Sequence, residues 1–421
     1  MKQVILTKAF VWVLCTPLIF SCSNDDNSSN EDGYIDIKRN SREEAVLKQG
    51  NNSTFNLLHK MVECEKPGQN WAVSPLSLNE VLGMLANGAK DDTYTEILNI
   101  MGCGDISLEE INAAYAKLSN ALPKIDRTKV NIGLANSLWL DEGFTVREDF
   151  LKMNRETYNT EVFTRALSTQ KTLEEINQWC SNKTNGLIPE MMEAPFDPST
   201  KISVINALYF KGEWTEKFDK AETKTESFNN DGNTQTQVSM MHIGDEFRYM
   251  KRENYSMVEL LYGKGHFGLA LLLPDENVSL DECLNKLNYE EWTENVDDSM
   301  CLGFGYVDIK LPHMKQECCT EFDSILKRMG MTTAFEPEKA DFSNMVTGGN
   351  INIDYIKQKI NIQWDEEGTK AAAVTQSGDV YGYSSPYRKG WVDFHVDRPF
   401  AYFIRETQTG VILFMGVCKN L

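Results

Sequence analysis

The chain is expected to adopt an α+β fold, on three observations: helix-start signals cluster in its first half, alternating apolar runs fill its second half, and its last two such runs flank a short turn. Ser77 can cap a helix running through Val81, Leu82, Met84 and Leu85 toward Gly88, and Asp92 or Thr93 can start another through Ile97, Leu98 and Met101. Thr172 to Trp179 has the apolar spacing of a further amphipathic helix. Strands are expected at Ile202–Phe210, Met257–Leu261, Phe267–Leu273, Val307–Leu311 and Ile351–Trp364. Phe400–Arg405 and Gly410–Val417 flank Glu406-Thr407-Gln408-Thr409 and read as a C-terminal hairpin. From Arg42 onward neither a linker composition nor a repeat interrupts the chain, so residues 42–421 read as a single domain.

At 421 residues and 41% hydrophobic content the chain can bury a large core. It carries 62 acidic and 42 basic residues, a formal charge of -20, which argues against nucleic acid or a bare anionic membrane as partner. Lys2 and Lys8 precede an apolar run from Ala9 to Phe20, too short to span a bilayer, so residues 1–21 read as an export signal. Ile19-Phe20-Ser21-Cys22 resembles a bacterial lipobox, in which the Cys22 thiol is lipidated, and residues 22–41 form a polar tether. The acidic stretch after Cys22 resembles the export signal of bacterial surface lipoproteins. An outer-membrane or cell-surface lipoprotein is therefore expected, held to the membrane by its N-terminal lipid. Ordinary signal cleavage with a periplasmic or secreted product is the alternative.

Ten cysteines are scattered without small-scaffold spacing, and the adjacent pair Cys318-Cys319 has no histidine cluster beside it, so free thiols are expected. The chain has no G-x-S-x-G, no H-E-x-x-H and no phosphate-loop motif, and its five histidines are dispersed. Gly263-Lys264-Gly265-His266-Phe267-Gly268 matches a dinucleotide-binding spacing. An apolar strand that stops at Pro274 follows it instead of a helix, which favours a hairpin turn. Neither an enzyme, a cofactor nor a metal is expected. Ser or Cys chemistry assembled from distant residues stays open as the lesser alternative.

Asp365 to Val392 holds Gly368, Gly378, Gly382, Gly390 and several serines between two strands, and reads as a long solvent-facing loop. Its first part departs from loop composition. Thr369 to Ser377 lacks proline and is rich in small or β-branched residues. As a strand it would place Thr369, Ala371, Ala373, Thr375 and Ser377 on one face and Lys370, Ala372, Val374 and Gln376 on the other. About a dozen ladder bonds at roughly 1 kcal/mol each would then release on the order of 10 kcal/mol, enough for a one-way transition. A flexible surface loop is the plainer reading of the same composition.

An ordered series of short strings resembles the serpins, the family of serine protease inhibitors, over nearly all the chain after the tether. It comprises Asn70-x-x-Val73-Ser74-Pro75-Leu76-Ser77, Gly88-Ala89-Lys90 with Thr93, Ala135-Asn136, Ile176-Asn177-x-Trp179 and Thr184-x-Gly186-x-Ile188. Asn206-Ala207-Leu208-Tyr209-Phe210-Lys211-Gly212-x-Trp214, Ala340-Asp341-Phe342-Ser343, the segment from Glu366 to Ala373, and Pro399-Phe400 through Leu413-Phe414-Met415-Gly416 complete it. The resemblance implies three β-sheets, about nine helices and an exposed reactive-centre loop over residues 366–391. It implies a monomeric suicide-substrate inhibitor of elastase-, chymotrypsin- or trypsin-like serine proteases, with cysteine proteases as a further class. A protease attacks the loop as bait and forms an acyl-enzyme, and the cut loop inserts into the main sheet and deforms the protease before hydrolysis. Glu366, Glu367, Gly368, Thr369, Ala371, Ala372 and Ala373 match the hinge that enters first, and its small residues fit the inhibitory branch. A non-inhibitory serpin-like binding protein is the alternative. Ser74, Ser77, Asn206 and Gln358, with Trp214, match the residues that govern sheet opening. Gln358 stands where the family usually has histidine, which implies altered stability rather than lost function. Counting forward from Gly368 places the scissile bond at Tyr381, Gly382 or Tyr383. Counting back from Pro399 places it at Arg388-Lys389. Tyr381 suggests chymotrypsin- or elastase-like targets, Arg388 trypsin-like ones.

Overall fold

The structure is a computed structural model that describes residues 37–66, 68–232, 234–296, 304–347, 351–369 and 390–421. Helix starts follow their caps. Helix α1 (Ser41–Cys64) begins behind Asn40, whose side chain accepts from the N–H groups of Arg42 and Glu43 while the Glu43 carboxylate accepts from the Asn40 N–H. Helix α2 (Pro75–Ala86) is capped by Ser74, not Ser77. Pro75 has no N–H to satisfy and fits the first helical position, so the cap lies one residue before it and Ser77 donates its N–H to the Ser74 hydroxyl. All twelve residues of α2 are buried, which makes it a central core helix. Helix α3 (Asp91–Ile100) starts without a side-chain cap, α4 (Leu108–Ala121) carries a capping box from Ser107 and Glu110, and α5 (Glu148–Tyr158) ends on Asn159 in the left-handed region. Helix α6 (Gln170–Lys183) is capped by Thr169 and so extends beyond the expected Thr172–Trp179 on both sides. With α7 (Leu280–Lys286), α8 (Tyr289–Val296) and α9 (Asp323–Met329), the described residues hold nine α-helices.

The main sheet has six strands: β1 (Val130–Asp141), β2 (Glu161–Arg165), β3 (Ile202–Glu213), β4 (Met314–Glu321), β5 (Tyr355–Asp365) and β6 (Gly368–Thr369), in the spatial order β4-β5-β6-β3-β1-β2. A second ladder of nine strands consists of two sheets joined by the strand Gln235–Lys251. The first part of that strand pairs with Lys224–Asn229 and Phe304–Pro312, and its last four residues pair with Tyr255–Tyr262. The three-sheet α+β architecture is thus present, with a two-residue ladder between Thr145–Val146 and Val346–Thr347 added to it.

The helices-then-strands reading missed β1 and β2, which lie in the first half and form one side of the main sheet. The expected strand from Ile351 begins only at Tyr355, because Ile351 and Ile353 are buried without joining the ladder. Gly263 to His266 form the turn between Tyr255–Tyr262 and Phe267–Pro274, which pair antiparallel. The C-terminal hairpin of Phe400–Glu406 and Ile412–Cys418 is present as expected. Seven cysteines lie among the described residues, and all are free. Among those residues no helix is long and apolar enough to cross a membrane.

Two cores hold the main sheet. On one face Phe210 meets the rings of Tyr262, Phe267 and Phe414 edge-on at centroid distances of 4.9, 5.9 and 6.3 Å. On the other, α6 packs Ile176, Trp179 and Cys180 against Trp139, Ile205 and Ala207.

Candidate functional site

The main sheet is closed along most of its length and split at one end. Strands β3 and β5 run parallel and pair directly from Tyr355 opposite Ser203 to Asn361 opposite Tyr209. Beyond that point β6 lies between them, antiparallel to both, with Thr369 opposite Trp364 and Gly212, and Gly368 opposite Asp365 and Glu213. The long loop expected from Asp365 is therefore not solvent-facing at its start. Glu366 and Thr369 are buried, and every carbonyl from Asp365 to Glu367 accepts a hydrogen bond from Trp214 or Phe218. The Trp214 indole N–H donates to Asp365 O at 2.8 Å, the Phe218 N–H to Glu366 O at 3.2 Å and the Trp214 N–H to Glu367 O at 3.0 Å.

Gly368 is required by two constraints. Its φ of +147° is unfavourable for any residue with a Cβ, and a Cβ there would lie 2.0 Å from the Gly212 carbonyl oxygen. Thr369 turns inward, its hydroxyl 2.6 Å from the Tyr262 hydroxyl. Tyr262 in turn stacks on Trp214 with ring centroids 4.5 Å apart, so two aromatic rings form the floor under the hinge. Burial drives the Tyr262 hydroxyl pKa far above its ordinary value, so it remains a protonated hydrogen-bonding group.

The two hinge glutamates are held differently. Glu367 is pulled below its ordinary pKa by hydrogen bonds from Lys217 and Lys220, at 2.8 and 3.0 Å. Burial opposes ionisation of Glu366, but the Thr223 hydroxyl at 2.7 Å, a backbone N–H and the His313 Nε2 at 3.0 Å outweigh it and hold that carboxyl low as well.

Further along, a polar cluster crosses the closed seam. Gln358 on β5 accepts from the Ser74 N–H at 2.7 Å and donates to Ser74 O at 3.3 Å and to Asn206 Oδ1 on β3 at 3.0 Å. The Asn206 amide donates to the Ser77 hydroxyl and to Asn136 Oδ1 on β1. Asn136 donates at 2.9 Å to Glu80 of α2, which also accepts from Ser119. Ser74, Ser77, Asn206 and Gln358 are thus brought together. Trp214, grouped with them on the sequence, stands at the opposite end of β3 under the hinge, because it follows the last β3 residue, Glu213. Glu80 and Asn136 complete the cluster. Sequence reasoning missed Glu80, whose only signal is an acidic residue inside an otherwise buried helix. Burial raises its pKa to about 7, against the lowering effect of Ser119 and Asn136.

A clasp covers the seam from the α6 side. Asn185 donates to the Tyr209 hydroxyl of β3 at 2.9 Å. On β5, Asn361 donates to Leu187 O at 3.3 Å and Lys359 to Glu190 O at 2.7 Å. Asn177 fixes this segment to α6 by accepting from the Met191 and Met192 N–H groups. Widening the seam must break bonds on one side of the clasp. The hinge residues Ala371, Ala372 and Ala373, the bond candidates Tyr381, Gly382, Tyr383, Arg388 and Lys389, and Cys22 lie outside the described residues.

The main sheet is thus parted at one end by the two-residue strand β6, which pairs with both β5 and β3. The family model described as serpin (serine protease inhibitor) matches residues 48–421. Human serpin B8 is 32% identical over 379 residues, covering 87% of this chain and 97% of its own. The leukocyte elastase inhibitor of Xenopus tropicalis is 30% identical, covering 86% and 96%. The crystal structure of tengpin, a thermophilic serpin in the native state, superposes with a TM-score of 0.81 at 30% identity, covering 89% and 94%. Human thyroxine-binding globulin complexed with thyroxine superposes at 0.80 with 25% identity, covering 90% and 99%. The chain belongs to the serpin family of serine protease inhibitors.

Proposed function

We propose that this serpin is an irreversible, suicide-substrate inhibitor of serine proteases that acts by inserting its cleaved loop between β3 and β5. The observation that carries this reading is β6, where the first two strand residues of the loop already occupy the slot. Continued in the same register, the inward residues would be Ala371 opposite Ile362 and Phe210, Ala373 opposite Ile360 and Leu208, Thr375 opposite Gln358 and Asn206, and Ser377 opposite Ile356 and Val204. Alanines would thus meet large apolar side chains, and Thr375 would arrive at the polar cluster with a hydroxyl able to replace the Gln358–Asn206 bond that its arrival breaks.

Slot length bears on the bait. Strand β5 ends at Tyr355 and β3 at Ile202, so the register is used up at Gly378 and Asp379. Cleavage in the Val380 to Tyr383 region would release a segment just long enough to fill the slot, which favours Tyr381, Gly382 and Tyr383 over Arg388 and Lys389. Asp379 would come opposite Asp354, whose carboxylate accepts from the Lys201 and Ile202 N–H groups, so like charges would slow the last step. Elastase- and chymotrypsin-like proteases are the proposed targets, and no catalytic activity of its own is assigned. The leukocyte elastase inhibitor among its relatives supports that choice. Lipidation at Cys22 would hold the inhibitor at a bacterial cell surface, shielding it from host or competitor proteases. Metabolic labelling with a fatty acid, lost in Cys22→Ala, tests the anchor.

The likeness to thyroxine-binding globulin supports a second reading, a non-inhibitory binding protein. Incubation with elastase, chymotrypsin and trypsin followed by a denaturing gel separates the two. A complex that survives SDS supports inhibition, and mass spectrometry of the released C-terminal peptide locates the bond. Cleavage by all three enzymes without a complex rejects inhibition in favour of the second reading.

A further inference from the structure

We propose that Asp308, Asp393 and His395 form a binding site for a divalent transition-metal ion such as Zn²⁺, with His242 as a positioning residue. The three residues offer ligand atoms that all lie within 4.8 Å of one another. Asp308 belongs to the strand Phe304–Pro312, and the other two to the edge strand Val392–His395, which pairs parallel to it with Asp308 directly opposite Asp393. The inward residues of this pair, Val307, Ile309 and Phe394, are buried, so the three ligands share the outer face.

Among the described residues the partners of the Asp308 carboxylate are the imidazoles of His242 and His395, one at each oxygen. Two aspartates facing each other across a parallel ladder repel. Lys310, on the same face of its strand as Asp308, is taken by Glu226, at 2.8 and 2.9 Å to its two oxygens. His395 Nε2 stands 2.9 Å from Asp308 Oδ2. This contact is a hydrogen bond, and because neighbouring ligands of a tetrahedral ion bound at roughly 2.1 Å sit about 3.4 Å apart, a further separation of about half an ångström would let both atoms share one ion. On the other side His242 Nε2 meets Asp308 Oδ1 at 2.7 Å and fixes the carboxylate plane, the arrangement that outer partners give to metal ligands. One imidazole nitrogen and two carboxylate oxygens suit Zn²⁺ or Mn²⁺ better than a hard cation that prefers oxygen alone. Sequence spacing hid the site, because Asp308 and His395 are 87 positions apart.

An ion here would staple the edge strand on which the loop ends. That consequence rests on the proposed loop mechanism, whereas metal binding does not. The test is thermal unfolding of the full chain with Zn²⁺ alone, beside Mg²⁺. The expected result is a saturable upward shift of about 3 °C at a hundredfold excess over the dissociation constant. The shift is absent with Mg²⁺ and is abolished in Asp393→Asn, an exposed position, and in His395→Gln, while His242→Gln weakens the apparent affinity several-fold. No shift with Zn²⁺, an equal shift with Mg²⁺, or a shift that persists in both ligand variants would each overturn the proposal.

Discussion

Glu80 is a carboxyl held in the core by two uncharged donors, and its cost depends on pH. Its pKa is raised from 4.5 to about 7. The stability it contributes is therefore full below pH 4.5 and lost as the pH rises through 7, on the order of 3 kcal/mol over the whole span. Because Asn136 links Glu80 to Asn206 and so to Gln358, that loss falls on the seam that must open. Glu80→Gln should flatten the dependence of unfolding free energy on pH between 4.5 and 7, measured by urea denaturation at several pH values. An unchanged slope would show that Glu80 titrates normally. Gln358 differs in kind, since its amide does not titrate, its oxygen accepts from the cap of α2 and its nitrogen donates across the seam to Asn206. Gln358→Ala strands the Ser74 N–H and the Asn206 Oδ1 in the core, and should lower stability by about 2 kcal/mol in the same urea experiment.

At the level of elements, the hinge is a two-residue strand whose fit depends on the absence of one side chain and the modest size of the next. Gly368→Ala would press a methyl group onto the Gly212 carbonyl and expel β6. Thr369→Arg would bring a charge against the Trp214–Tyr262 stack. Both variants should convert inhibitor to substrate: the loop is still cut, and the SDS-stable complex on a denaturing gel falls at least tenfold. Complex formation at the native level in Thr369→Arg would refute an inward-facing Thr369 during insertion.

A strand-compatible run after Gly368 is legible in the sequence, but it reads there as a solvent-facing loop, whereas Glu366 and Thr369 are buried. The partial insertion of the hinge was not legible, since Asp365 to Glu367 are fixed by carbonyl bonds to Trp214 and Phe218, which come from distant sequence. Strand β1 was missed for a related reason. Its burial pattern mixes Asn131, Gly133 and Asn136 among apolar residues, and those positions are set by partners on β3 and α2 rather than by local alternation. The cap of α2 is Ser74 and not Ser77 because Pro75, a local signal, takes the first helical position.

For the molecule as a whole, the proposed insertion would exchange one ladder for two. The direct pairing of Tyr355–Asn361 with Ser203–Tyr209 is broken, and a new strand pairs with both neighbours, so the net gain is about one full ladder, on the order of 10 kcal/mol. On the proposed mechanism the native state is a trapped one, with the seam cluster and the Asn185–Glu190 clasp opposing the opening. The most direct test of that claim is thermal unfolding before and after cutting the loop between Val380 and Tyr383 with a protease too dilute to be trapped. Insertion should raise the melting temperature by at least about 10 °C, with the cleaved chain remaining one folded unit. A cleaved protein that melts at or below the native temperature would contradict the account, because its loop would then have gained no ladder.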